Sequence, residues 1–118
     1  MPDIRKQILI IDDETDLCLL LKDYFVRKNY EVIVSHTLRE GLTILNSLKP
    51  EILFLDNNLP DGVGWDLAPG LSVDFPDTYI ILISAFHAAV PKMPVGSQFR
   101  VIEKPISMLE LNKQFPEL

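Results

Sequence analysis

A doubly wound α/β fold, with a five-stranded parallel sheet in the order 2-1-3-4-5 and helices on both faces, is predicted for this 118-residue chain by three observations. The runs Ile8-Leu9-Ile10-Ile11, Ile52-Leu53-Phe54-Leu55 and Ile80-Ile81-Leu82-Ile83 are apolar without alternation and rich in isoleucine, as expected of strands covered on both faces. Between the strands lie segments with helical spacing, an alternation that calls for right-handed crossovers and a parallel sheet. Each strand also stops at a polar residue: Asp12 and Asp13, Asp56, Ser84, and Lys104 shortly after Val101-Ile102. A parallel sheet gathers such strand ends along one edge, and ligands bind there at the switch point between the first and third strands.

The elements follow in order. After the strand at 8–11, Leu17, Leu20, Leu21, Tyr24 and Phe25 form a helical stripe. Glu31-Val32-Ile33-Val34-Ser35 is a weaker strand. Leu38, Leu42, Leu45 and Leu48 form the second stripe, and Thr37 with Glu40 fits the capping box that opens a helix. The strand at 52–55 leads to Gly64-Trp65-Asp66-Leu67, where a helix is expected but Pro69-Gly70 interrupts it. Pro91, Pro94 and Gly96 leave little room for a helix between the fourth strand and Phe99-Arg100-Val101-Ile102-Glu103. A short third helix and an irregular, partly or wholly unwound fourth are therefore expected. Ser107 with Glu110 opens the last helix.

Length and a hydrophobic share of 47% suit one domain over residues 1–118, with no repeat or linker dividing it. Seventeen acidic against 11 basic residues give a net charge of −6, which on average repels nucleic acid and anionic membrane surfaces. No direct nucleic-acid binding and no membrane association are expected. The apolar runs are far shorter than a bilayer span and no signal-type segment follows the start, so a soluble, unexported, cytoplasmic protein is expected. A single cysteine, Cys18, rules out an internal disulfide and a cysteine-built zinc cage, and reads as a core-lining thiol.

Three carboxylates converging on one crevice repel each other, and a divalent cation with oxygen ligands relieves them. Magnesium fits a shallow open site, because it keeps several waters and takes one or two carboxylates plus a phosphate oxygen. Asp56, at the tip of the central strand, is placed to attack a phosphoryl group and form an aspartyl phosphate. Lys104 supplies positive charge and Ser84 a hydroxyl donor, the stabilisation that phosphoryl transfer needs.

Asp12-Asp13-Glu14 after strand one, Asp56-Asn57-Asn58-Leu59-Pro60-Asp61-Gly62 after strand three, Ser84-Ala85 after strand four and Lys104-Pro105 after strand five resemble the response-regulator receiver domain, CheY-like in fold, over essentially the whole chain. The resemblance implies Asp56 as phosphoacceptor, Asp13 as a direct magnesium ligand, Asp12 as a ligand directly or through water, and Asn58 as donor of a backbone carbonyl. It implies that Ser84 bonds the phosphoryl group and shifts toward it, that Lys104 pairs with a phosphate oxygen, and that Pro105 follows a cis bond. A histidine kinase or phosphotransfer protein is the implied phosphodonor, with an output partner or domain downstream and a possible homodimer. Ala85 leaves room for the incoming group, while Asn58 and Phe86 flank the path of an attacking water. A phenyl ring cannot activate that water, so slow self-dephosphorylation is expected.

Two departures bear on output. Receivers usually carry an aromatic ring three residues before the lysine, and here Val101, stiff at its branched carbon, cannot make that ring's swing. The proline-broken stretch from Ala88 to Gly96 replaces the fourth helix, part of the face that most receivers use for dimers or partners. Output through an altered surface, or by ordering this loop, is the resulting expectation.

Other features weigh less. His36 and His87 have no convincing partners as metal ligands or phosphoacceptors. Trp65 is expected to cover the edge of the sheet, and Gly62-Val63-Gly64 imitates a dinucleotide loop but has Leu67 where the third glycine belongs. A receiver-like interaction module that is not phosphorylated is the alternative function. A magnesium-dependent phosphohydrolase is disfavoured, because Asn58 stands where its second acidic residue belongs.

Overall fold

The computed structural model of the protein describes residues 5–85 and 88–116. Its main sheet has five parallel strands, β1 (Gln7–Ile11), β2 (Glu31–Ser35), β3 (Ile52–Asp56), β6 (Tyr79–Ser84) and β7 (Phe99–Glu103), in the order β2-β1-β3-β6-β7. Counting main-sheet strands alone, this is the expected order 2-1-3-4-5. A two-stranded antiparallel hairpin, β4 (Asn58–Leu59) with β5 (Gly62–Val63), follows the central strand.

Alternate residues of the buried strands feed two cores. Ile8, Ile10, Phe54, Ile81 and Ile83 face α1 (Thr15–Val26) and α4 (Met108–Gln114), whose Leu21, Phe25 and Leu111 are fully covered. Leu9, Ile11, Leu53, Leu55, Ile80 and Leu82 share a core with Leu38 and Leu45 of α2 (Leu38–Leu48), Ala68 and Leu71 of α3 (Ala68–Asp74), and Trp65 from the turn before α3. Burial on both faces explains the unalternating strand sequences. Phe25 joins the two helices of the first layer, its ring lying 5.6 Å from Phe54 and 5.4 Å from Phe115, centroid to centroid.

The capping boxes form as expected on their hydroxyl side: Thr37 Oγ1 and Ser107 Oγ accept from the amides of Glu40 and Glu110. A second cap on α2 was not visible locally. Asp61, in the tight turn of the β4–β5 hairpin, accepts from the amides of Leu38 (2.8 Å) and Arg39 (2.9 Å), so the hairpin is tied to the helix start. Hydrogen bonds from Arg39 and Leu38 hold its carboxyl below the ordinary value of 3.8. A depressed carboxyl stabilises the fold above its unfolded value and loses that contribution as pH falls through the folded one. Asp61→Ala is therefore expected to lower the urea midpoint clearly at about pH 6 and much less at about pH 3. An equal loss at both would show that charge at this helix start does not matter.

The third helix departs from expectation in its first turns. Gly64–Leu67 forms a 3-10 turn and α3 begins only at Ala68, so Pro69 sits in the first helical turn. There its missing amide would have had no partner anyway, so proline opens this helix instead of breaking it. Between β6 and β7 there is no helix among described residues 88–98, as the prolines imply. Ala88 and Met93 pack against the second core, and Ser97 closes a turn through its amide and hydroxyl to the Pro94 carbonyl. No helix of the described residues is long and apolar enough to cross a membrane.

Candidate functional site

Strand register brings the polar strand ends together. The Asp12 amide donates to the Ser35 carbonyl at 3.0 Å, extending the β1–β2 ladder by one bond and placing Asp12 at the rim. Asp56 closes β3 opposite Ile83, and Ser84 closes β6 opposite Glu103. The Lys104 amide donates to the Ser84 carbonyl at 2.8 Å, and the Lys104–Pro105 bond is cis. Asp12, Asp56 and Ser84 are buried while Asp13 is exposed.

The rim forms a cleft of about 370 Å³ whose lining includes Asp13, Glu14, Asp56, Asn58, Ser84 and Lys104, together with Ala85 and Ala88. One carboxylate oxygen from each of Asp12, Asp13 and Asp56 lies within 4.8 Å of the others. Lys104 Nζ stands 3.0 Å from Asp12 Oδ2, 3.3 Å from Asp56 Oδ1 and 2.7 Å from Glu14 Oε1. Burial followed by the nearby Asp12 charge raises the Asp56 carboxyl to about 6 despite the pull of Lys104. Burial also raises Asp12, outweighing its hydrogen bond from the Glu14 amide and the attraction of Lys104. Lys104 feels the opposite balance. Burial would lower it, but Glu14, Asp12 and Asp56 together hold its ammonium above the usual range.

The donor set suits a hard divalent cation. Its oxygens are close-set and repelling, and Asp12 Oδ2 is fully buried with the Lys104 ammonium 3.0 Å away as its counter-charge. An oxygen with spare lone pairs inside an anionic cluster is what a metal ligand needs.

The remaining expectations divide. Asn58 lies at the cleft, held in β4 opposite Val63, and Val101 is a half-buried strand residue opposite Leu82. Phe86 and His87 lie outside the described residues. His36 is exposed, with Nδ1 donating to the Asp12 carbonyl at 2.8 Å, and Cys18 Sγ donates to the same carbonyl at 3.3 Å. Burial pushes that thiol up to about 12, consistent with a core role. Trp65 corrects the sequence reading: it does not cover the sheet edge but is buried beside the central strand, its indole N–H donating to the Leu55 carbonyl at 3.1 Å.

Two site residues escaped sequence reasoning. Glu14 was legible only as a third acid after strand one, yet it makes the shortest contact to Lys104. Gly64 was discounted with a nucleotide-loop pattern, but its Cα lies so close to the central strand that an added Cβ would sit 2.0 Å from the Asp56 carbonyl oxygen.

The family model described as response regulator receiver domain matches residues 8–115. The response regulator SaeR of Staphylococcus epidermidis is 29% identical over 107 residues, covering 88% of this chain and 46% of SaeR. The chain thus spans about half the length of the curated relatives it matches. Among solved structures, the response regulator TrrA from Thermotoga maritima, in complex with magnesium and a beryllium fluoride, is 25% identical with a TM-score of 0.78, covering 95% of this chain and 97% of that one. TrrA in complex with the histidine kinase ThkA matches at 25% identity and a TM-score of 0.76, with the same coverage of both chains.

Proposed function

The chain belongs to the response-regulator receiver domain family of two-component signalling, and from that premise we propose that Asp56 accepts a phosphoryl group in a magnesium-dependent reaction. The observation that carries this reading is the convergence at one rim of three carboxylates within 4.8 Å, with the Lys104 ammonium against two of them.

Each residue has a task that follows from its surroundings. A carboxyl near 6 is mostly ionised at neutral pH, so Asp56 is available as a nucleophile, and burial leaves it poorly solvated. Its oxygen forms the bond to phosphorus as the bond from phosphorus to the donor's imidazole nitrogen breaks, the electron pair staying on that nitrogen and the proton already on the other ring nitrogen making the leaving group a neutral imidazole. Magnesium held by Asp12, Asp13, Asp56 and the Asn58 carbonyl would neutralise charge on the phosphoryl oxygens. Lys104 is placed to take another of those oxygens, and Ser84, joined to it through the backbone, offers its hydroxyl to a third. Ala85 at the cleft wall leaves space beside them.

The donor proposed is a histidine kinase or a phosphohistidine carrier, supported by the likeness to TrrA, which was solved with the kinase ThkA. Incubation with acetyl phosphate and magnesium is expected to add the mass of one phosphoryl group. The adduct should disappear in Asp56→Asn and on chelation of the metal. An unmodified wild type that nevertheless binds the beryllium fluoride mimic would point to another donor chemistry, whereas failure of both would favour the unphosphorylated interaction module.

A further inference from the structure

We propose that Glu14 is a positioning residue for the Lys104 ammonium, receiving it when Asp12 and Asp56 are engaged by a divalent cation. The inference rests on the magnesium-dependent reading of the rim. An ammonium has three donors, and here three carboxylates approach it: Asp12 and Asp56, both buried, and Glu14, whose side chain is 55% exposed. A cation placed among Asp12, Asp13 and Asp56 neutralises the carboxylates that Lys104 now pairs with and repels the ammonium beside them. Of its three anionic partners, Glu14 is then the one left.

Two further observations favour this role. Glu14 occupies the position before α1, where a side chain ordinarily caps the helix, yet its carboxylate makes no capping bond and reaches across 90 residues of sequence to Lys104. Its amide is meanwhile fixed by Asp12 Oδ1 at 2.7 Å, so the residue is anchored at its backbone while its half-exposed carboxylate extends to Lys104. Glu14 and Lys104 also line an adjoining cleft of about 210 Å³ with Leu17, Leu20 and Ile106, which gives the ammonium somewhere to move as the metal enters. Held by Glu14, the amine stays at the mouth of the site, ready for a phosphoryl oxygen.

Magnesium binding, followed by Trp65 fluorescence and by calorimetry, tests this in a double-mutant cycle. Glu14→Gln is expected to weaken magnesium binding by about threefold to tenfold, because the displaced ammonium keeps competing for Asp12 and Asp56. In a Lys104→Met background the same substitution should change affinity by less than about twofold, since an exposed charge acting through solvent is screened. Equal weakening in both backgrounds would mean a general charge effect, and no weakening beside an intact Lys104 would mean no role; either overturns the proposal. A wild type that binds no magnesium would remove the underlying reading as well, so the two failures are distinguishable. Should Lys104→Met not fold, the Lys104 ammonium resonance at saturating magnesium decides. It should stay protected from exchange in the wild type and lose that protection in Glu14→Gln; identical behaviour would overturn the proposal.

Discussion

Asp56→Asn is expected to be more stable to urea than the wild type at neutral pH without magnesium, its unfolding free energy higher by on the order of 2 to 3 kcal/mol. The sign follows from its raised carboxyl, at about 6 in the fold against an ordinary value of 3.8. Between those values the folded chain binds more protons than the unfolded one, so stability falls as pH rises through the window and the penalty is fully present above it. Asparagine cannot ionise and removes the penalty. The attraction of Lys104 is already contained in the net shift, because it opposes burial and the Asp12 charge. The gap between variant and wild type should therefore close as pH falls toward about 4. Saturating magnesium should stabilise the wild type much more than the variant. An asparagine variant less stable than the wild type at neutral pH would mean that Lys104 and hydrogen bonds dominate Asp56, and the account of a strained anionic rim would fail.

Gly64→Ala should be the most damaging small substitution near the site. Its Cβ would lie 2.0 Å from the Asp56 carbonyl oxygen and 3.1 Å from Leu55 Cδ1, and the first of these is backbone of the central strand, which has no rotamer by which to yield. Overpacking of this kind costs about 3 kcal/mol or more, and relief must come by moving Asp56 or the turn that carries Trp65. Loss of magnesium binding should accompany the lowered melting temperature. Gly70→Ala is the matched control. It lies within α3 with nothing within 4 Å of the added carbon, so a helix-favouring gain of about 0.5 to 1 kcal/mol is expected. Similar stability changes for the two variants would show that close approach to the central strand is not why residue 64 is glycine.

Much of the rim was legible because its signals are local. A strand buried on both faces announces itself as a short isoleucine-rich run, and the residue that ends it must lie at the sheet edge, so Asp12, Asp56 and Ser84 were placed by their neighbours alone. The contacts that escaped are made by flexible or exposed side chains across long sequence separations. Glu14 reaches Lys104 and Asp61 reaches Leu38 and Arg39, and nothing in their own neighbourhoods distinguishes them from solvated acids. Pro69 was misjudged because its effect depends on where the helix begins. Had the helix begun at Gly64, proline at 69 would have stood in its interior and cost a hydrogen bond, but one residue after a start at Ala68 it is at home. Trp65 was read as a cover because a lone indole gives no sign of which layer it enters, and that is decided by the carbonyl of Leu55.

The stretch from Ala88 to Gln98 lies against the second core through Ala88 and Met93 without a helix among its described residues. A helix resists deformation because each turn is bonded to the next, whereas a ribbon held by scattered contacts, Ala88 and Met93 on the core, Ser97 to Ser72 and Gln98 to the Ile80 amide, yields piecemeal. A visiting surface could therefore mould this flank to itself without first melting anything.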